Sequence, residues 1–402
     1  MVRLERLAIR KYRRLAPGTE LRFSPHHNVL LGKNASGKTT LLDLIACVVS
    51  LDFSNLRDEA FDIEFEFWDG ETRLLSMELR NVAKLTELPG GHGRSRAFEA
   101  SARIELASGR RVLVEDGTTT VELGGRRPQP RTPLALMGDN AAWATELWRT
   151  LRDFPGELLT WPPVVRVDEG LTVFERIVSR AGVDRNWHEL DDEQGGVTDW
   201  VYRGLWPVAG TSEDELNRVL DDGQVVVSRE ALPMLEALAE AMELRAVDVV
   251  LSPVSTANGT LSLGNLQFRC TRRDGSIDTN RTLSYGERRM IALWWCLACT
   301  PHVAVIDELV NGLHHSWIEA TMRRLDGRQS FLTSQNPLLM DYLGFGSAND
   351  VQRTFMLCAG LSGTSSDLPI RNLAAEEASR FYAAHAVGIQ HVSEILRDQG
   401  LW

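Results

Sequence analysis

The sequence predicts an α/β fold carrying an antiparallel β subdomain and an inserted helical subdomain. Three observations predict it. An apolar run at 28–31 leads through a glycine-bounded loop into an apolar helical stretch at 39–49. Short runs of alternating apolar and polar residues then follow one another between 61 and 123, the period of half-buried strands. From 284 onward, helical and strand-like stretches alternate around the apolar run Val303–Ile306, as in a sheet fed by helices.

Each element follows from its own pattern. Residues 4–9 and 28–31 read as strands. The runs 61–68, 73–79, 102–106, 111–114 and 119–123 are divided by Asp69-Gly70, Ser108-Gly109 and Asp116-Gly117, turn signals that suit an antiparallel meander. The Pro-, Arg- and Gly-rich piece 124–133 reads as a surface linker. Between 141 and 245 the texture is helical, clearest at 171–181, 213–220 and 230–244. Trp143, Trp148, Trp161, Trp187, Trp200 and Trp206 all fall there, and read as the packing of a lid. Asp191-Asp192-Glu193 reads as a solvated loop. Strands return at 247–251 and 266–272, followed by a turn at Asp274-Gly275. Then come a helix at 284–299, the strand Val303–Ile306, a helix at 317–325, strands at 330–333 and 354–358, and one long helix at 376–397. The domain reading is an N-terminal lobe at 1–123, a helical insert at 124–245 and a C-terminal lobe at 246–402.

The bulk properties narrow the function classes. The 402 residues are 43% hydrophobic and 25% charged, with a formal net charge of −11. That is ordinary globular composition, and the acidic total argues against a protein that coats nucleic acid. Basic clusters at Arg10, Lys11, Arg13 and Arg14, at Arg94 and Arg96, and at Arg126, Arg127 and Arg131 leave a local DNA face open, although solvated charge is the plainer reading. No stretch is long and apolar enough to span a membrane. Met1-Val2-Arg3-Leu4-Glu5 reads as the start of a strand and not as a signal peptide. Five scattered cysteines fit a reduced, cytoplasmic compartment. Cys296 and Cys299 form a C-x-x-C pair inside an apolar helical run and read as packing residues.

Three motifs carry chemistry. Gly32, Lys33, Asn34, Ala35, Ser36, Gly37, Lys38 and Thr39, with Thr40 behind them, match G-x-x-x-x-G-K-[ST] between a strand and a helix. Such a loop turns its N–H groups and a helix N-terminus toward an anion. Lys38 is expected on the β- and γ-phosphates of ATP, and the Thr39 hydroxyl on Mg²⁺. The strand Val303–Ile306 ends in Asp307 and Glu308. Asp307 is read as a metal ligand and Glu308 as the base that polarises the attacking water. Leu283-Ser284-Tyr285-Gly286-Glu287 opens the helix before that strand, where Ser284 and the backbone at Gly286 can offer donors. A plain helix cap completed by Glu287 is the competing reading of those five residues.

The order P-loop, L-S-x-G-E, apolar strand with Asp-Glu resembles that of ABC-type ATPases. Leu7-Ala8-Ile9-Arg10-Lys11-Tyr12-Arg13 resembles the opening strand of SMC, RecF and OLD-type heads. Asp307-Glu308 followed by Asn311-Gly312-Leu313-His314 resembles stand-alone bacterial ATPases related to OLD proteins, many of them phage-defence or toxin–antitoxin components. The resemblance covers both ends of the chain well and 124–260 poorly. It implies a P-loop NTPase of ABC-head type that binds ATP and Mg²⁺. It further implies an ATP-bound homodimer in which Ser284 and Gly286 of one copy touch the γ-phosphate held by the other. Arg13 would lie near the nucleotide. A nuclease or toxin effector would be a separate chain, and no membrane partner is expected. A nucleotide-gated scaffold with negligible turnover is the alternative, and a transporter subunit is disfavoured. Two departures stand out. Gln335, in Leu332-Thr333-Ser334-Gln335-Asn336-Pro337, occupies the position of the family's switch histidine, and His314 that of a transporter-type aspartate. The Q-loop glutamine is Gln129 or Gln194 by position only.

Overall fold

The computed structural model describes residues 2–50, 53, 56, 58–87, 94–106, 111–115, 118–122, 129–130, 225–227, 233–255, 261–299, 303–359 and 366–401. The chain forms two compact units, one of Met1–Trp161 with Gly327–Trp402 and one of Pro162–Asp326.

The first unit begins with β1 (Val2–Tyr12), β2 (Thr19–Arg22), β3 (His27–Leu31), α1 (Lys38–Ser50), β4 (Phe61–Asp69), β5 (Thr72–Glu87), β6 (Arg94–Leu106), β7 (Arg111–Glu115), β8 (Thr118–Glu122) and β9 (Gln129–Pro130). The second unit holds β10 (Val225–Val227), α2 (Met234–Ala241), β11 (Ala246–Ser255), β12 (Leu261–Thr271), β13 (Ile277–Thr279), α3 (Tyr285–Cys299), β14 (Val303–Ile306) and α4 (His315–Leu325). The chain then returns to the first unit with β15 (Gln329–Thr333), α5 (Ala348–Thr354), β16 (Phe355–Cys358), β17 (Ile370–Asn372), α6 (Ala375–Val387) and α7 (Val392–Asp398).

Alternation builds the large sheet of the first unit, in the order β2-β1-β4-β5-β6-β7-β8-β9 and antiparallel throughout. Leu4, Leu7, Ile9, Phe61, Ile63, Phe65, Phe67, Leu75, Met77 and Leu79 are buried on one face. The other face carries a ladder of ion pairs. Arg6 pairs with Glu20 and Glu64, Arg80 with Asp62, and Arg10 with Asp62, Glu64 and Glu78. Cross-strand pairs of this kind contribute modestly, about 0.2–1 kcal/mol each. The main-chain pairing of β5 with β6 extends from Leu75↔Leu106 to Glu87↔Arg94. This is well past the apolar runs, because backbone pairing does not need an alternating side-chain pattern to continue.

A second sheet of this unit sets β3 between β15 and β16, both parallel to it, with β17 antiparallel beyond β16. β3, β15 and β16 are buried on both faces, as parallel strands covered on two sides are. The two sheets are tied by polar groups that carry no alternation signal. Gln329, fully buried, accepts from the Leu4 N–H at 2.8 Å and donates to the carbonyls of Leu4 and Ser24 at 2.8 and 2.9 Å. Arg353 reaches Glu5 at 2.5 Å and the Phe23 carbonyl.

The long C-terminal helix expected at 376–397 is two helices. Gly388 takes the left-handed conformation at φ +71° and caps α6. The His391 N–H then donates to Glu394 at 3.0 Å and starts α7. A helix pattern runs through this break because both pieces bury apolar residues at similar spacing.

In the second unit β10, β11, β12 and β13 form an antiparallel sheet in that order. Phe268 of β12 meets Trp295 of α3 edge to face at 5.5 Å. The helix expected at 230–244 appears as α2, and Glu243 at φ +56° lies just beyond its end. The helices expected at 171–181 and 213–220, the six tryptophans, the 191–193 acidic cluster, Gln194, Arg126, Arg127 and Arg131 lie outside the described residues. So do the side chains of Arg94, Arg96, Cys296 and Cys299. Among the described residues no helix is long and apolar enough to cross a membrane.

The buried amide of Gln329 gives a stability test. Gln329→Met takes the acceptor from the Leu4 N–H and one donor from each of the Leu4 and Ser24 carbonyls, of which Ser24 keeps the Asn28 side chain at 3.0 Å. We expect a loss of about 2–4 kcal/mol, read as a lower urea midpoint with little change in slope.

Candidate functional site

The phosphate-type loop leaves the parallel sheet where β3 ends. β15 pairs Thr333 with Leu30, and β16 pairs Leu357 with Leu31. Gly32 therefore emerges beside Cys358 on one side and the Ser334–Gln335 segment on the other. A side chain at Gly32 has no room, since its Cβ would stand 2.3 Å from the Cys358 carbonyl oxygen and 2.6 Å from Ser36 Oγ. Gly32 also takes φ +152°, which only glycine adopts readily. Gly37, at φ +93°, rests on Leu15 and Leu368. Between them Ala35 takes φ +61°, so the curl of the loop is built into its backbone.

The loop's polar groups converge. Lys38 is buried, and its ammonium donates to the carbonyls of Gly32 and Lys33 at 2.7 and 2.9 Å. Ser36 Oγ is buried with no hydrogen-bond partner. Thr39 and Thr40 stand on the first turn of α1, Thr39 exposed and Thr40 half-exposed. Lys33, Asn34 and Ala35 face outward. An ammonium folded onto its own loop carbonyls, an orphaned buried hydroxyl and a helix N-terminus in one turn fit a bound phosphate chain. Burial pushes the pKa of the Cys358 thiol up to about 12, against the opposing charge of Lys38.

Arg13 lies at the end of β1 in the left-handed region, at φ +46°. Its guanidinium forks onto Glu59 at 2.8 and 2.7 Å and reaches Asp43 of α1 at 3.3 Å. It also stands over the Tyr12 ring at 5.1 Å. Arg13 thus braces the phosphate-loop helix from the side. Within the same basic cluster Arg10 is held by three carboxylates and Arg14 donates to the Ser366 carbonyl. Local acidic partners answer much of that positive charge, which favours the plainer reading of the cluster over a DNA face. Gln335 is exposed. The neighbouring Ser334 accepts from the Asn336 N–H at 2.9 Å, and the Asn336 side chain accepts from the Leu338 N–H at 3.0 Å. These bonds fix the turn that presents Gln335.

The second unit carries the other two motifs. β14 is apolar and nearly buried, and delivers Asp307, 7% exposed, and the half-buried Glu308. Glu308 takes φ +52°, a conformation that costs a non-glycine residue on the order of 1–3 kcal/mol. Ser284 caps α3. Its N–H donates to Glu287 at 2.8 Å, and its hydroxyl accepts from the Glu287 N–H at 3.3 Å. The capping box weighed against a functional role is therefore present, and the Ser284 and Tyr285 side chains still face solvent. Arg272 adds a 2.6 Å ion pair to Glu287. Burial works against the Glu287 carboxylate, but the Ser284 and Arg272 bonds outweigh it and hold its pKa below the ordinary value. Gly286 lies under the Gly312 carbonyl, where a Cβ would meet that oxygen at 2.5 Å, and a Cβ on Gly312 would meet the Tyr285 ring at 2.4 Å.

Sequence reasoning missed Arg289. It is 2% exposed and donates through Nη2 to the carbonyls of Asp307 and Glu308 at 3.0 and 2.6 Å. Its spacing from Gly286 and Leu293 places it on the inward face of α3, and a charge on an apolar face was the available signal. Arg272 was missed because its partner lies across a turn and a strand. Among the described residues no group of three or more His, Cys, Asp or Glu side chains is placed to hold a metal alone.

Two outcomes follow. Gly286→Ala pushes α3 off the Gly312 turn and costs about 1–3 kcal/mol by overpacking, visible as a lowered thermal midpoint. The Arg13 hydrogen bond holds the Glu59 pKa below its ordinary value, with the burial penalty opposing. Its contribution is complete above the ordinary value near 4.5 and is lost as pH falls through the lower folded value. Acid unfolding of Glu59→Gln, followed by circular dichroism, should be less steep in that range.

No protein-family model matches the chain, and no curated protein matches its sequence. Solved structures of SMC heads are similar to it in outline. The SMC head domain of Thermotoga maritima is 13% identical, with a TM-score of 0.40 over 92% of this chain and 99% of that one. An Smc head with an extended coiled coil, bound to the C-terminal domain of ScpA and derived from Pyrococcus furiosus, is 12% identical, with a TM-score of 0.44 over 96% of this chain and 100% of that one. An Smc head with a coiled coil and joint from Pyrococcus yayanosii is 11% identical, with a TM-score of 0.41 over 96% of this chain. At these values the likeness assigns no residue a role.

Proposed function

We propose that this chain binds ATP with Mg²⁺ and hydrolyses it, and that its ATP-bound state pairs with a second copy. The observation that carries the reading is the loop 32–39. Its backbone curl is enforced by close packing at Gly32, its lysine is turned onto the loop, and the Ser36 hydroxyl is buried without a partner.

The roles follow from the chemistry of each group. The loop N–H groups and Lys38 hold the phosphates. Thr39 and Asp307 are the oxygen ligands that would hold Mg²⁺, which when bound supplies charge neutralisation at the β- and γ-phosphates. Glu308 takes a proton from water as the water oxygen bonds to the γ-phosphorus and the bond to the bridging oxygen breaks, releasing ADP and inorganic phosphate. Gln335 offers an amide to water or phosphate without changing charge. Arg13 contributes from the nucleotide's flank. Ser284 and Gly286 would meet the γ-phosphate held by a second copy, which is supported by the solvent-facing start of α3. The OLD-like sequence run after Glu308 extends the reading to a defence or DNA-related process with a separate effector chain.

A nucleotide-gated scaffold with little turnover is the second reading. Gln335 favours it, since an uncharged amide stands beside the phosphate loop where a histidine is expected.

The test uses the full chain. Lys38→Ala should weaken binding of a fluorescent ATP analogue by at least about 100-fold. Glu308→Gln should keep that binding and lower phosphate release about 10²–10⁴-fold. With ATP the Glu308→Gln protein should elute as a dimer. Equal phosphate release by the wild-type and Glu308→Gln proteins overturns hydrolysis at Glu308, and a monomeric Glu308→Gln protein with ATP overturns the pairing.

A further inference from the structure

Glu308 needs an external hold. Its left-handed backbone at φ +52° is one that a glutamate does not favour, and it follows a strand that would otherwise continue in the extended region. The turn itself supplies one bond, from the Asn311 N–H to the Glu308 carbonyl at 3.0 Å, and a buried side chain supplies two more. A single nitrogen of Arg289, Nη2, donates to the Asp307 carbonyl at 3.0 Å and to the Glu308 carbonyl at 2.6 Å. Those two oxygens belong to the peptide groups on either side of the Glu308 Cα, so one donor contacts both.

The same helix grips the loop a second time. Gly286, one turn before Arg289, leaves just enough room for the Gly312 carbonyl, and Gly312 in turn leaves room for the Tyr285 ring. The turn 307–312 is thus seated on α3 at both ends, by a guanidinium at 307–308 and by glycine contacts at 312. Burying a guanidinium is costly. The two carbonyl contacts put that cost where the chain leaves its preferred backbone geometry.

We infer that Arg289 is a positioning residue for Glu308. It holds the Glu308 backbone in the conformation that aims its carboxylate, and it links that aim to the helix whose N-terminus carries Ser284. The inference rests on the reading of Glu308 as the base. It assigns Arg289 no contact with nucleotide.

A double-mutant cycle on the full chain tests it, with phosphate release and ATP-analogue binding measured together. Arg289→Met keeps the apolar stem and removes the donors. Turnover should fall at least about 30-fold while the KM for ATP stays within about 3-fold, since only the aim of the base is lost. Arg289→Lys, which keeps one compact donor, should recover part of the rate. In the Glu308→Gln background Arg289→Met should remove less than about a further 2-fold, because two residues acting through one group are not additive. An unchanged rate in Arg289→Met, or a loss that multiplies with that of Glu308→Gln, overturns the inference. Where Arg289→Met fails to fold by circular dichroism, Arg289→Lys is read in the same cycle by the same criteria. Wild-type turnover that does not depend on Glu308 overturns the hydrolysis reading itself. That result is distinct from a failure at Arg289, in which Glu308 dependence persists.

Discussion

The closeness of Gly32 to the Cys358 carbonyl is the constraint on which the loop-bearing sheet depends. β3 can lie between two parallel neighbours and still turn sharply out of the sheet only if its next residue has no side chain. Once that residue is glycine, the following backbone is free to curl, and the curl brings Lys38 over the carbonyls of Gly32 and Lys33. The helix begins where the curl ends. The shape of the loop is therefore a consequence of strand packing.

A similar device recurs in the second unit. Gly286 and Gly312 bring two pieces of backbone closer than side chains allow, and Arg289 ties the intervening turn from the other side. The strain at Glu308 is tolerable because its surroundings over-determine it. In both units glycine marks close approach and a buried cation satisfies carbonyl oxygens. Lys38 does so in the first unit and Arg289 in the second.

Charge is distributed in keeping with this economy. Arg6 and Arg10 are engaged by carboxylates of neighbouring strands, and Arg13 by Asp43 of α1 and by Glu59. A run of arginines that suggests an anion-binding surface in one dimension becomes an internally balanced ladder in three. Arg13, just past β1, reaches α1 through Asp43 and the segment before β4 through Glu59, so the balanced charges also steady the helix that follows the 32–39 loop.

Local order in the sequence determined the motifs and the elements that carry them. The strand–loop–helix at 28–49, the alternation from 61 onward and the apolar β14 are legible because their periods are set by neighbouring residues. Helix 376–397 misled for the same reason, since a break at Gly388 leaves the apolar spacing nearly intact. The capping box at Ser284 was legible too, because its partner is three residues away. Only the tertiary structure decided that Gln329 joins β15 to β1, that Arg272 braces Glu287 and that Arg289 holds Glu308. Those partners lie 325, 15 and 19 residues apart. A buried polar group declares itself by what it touches, and contacts over such separations exist only once the chain has folded.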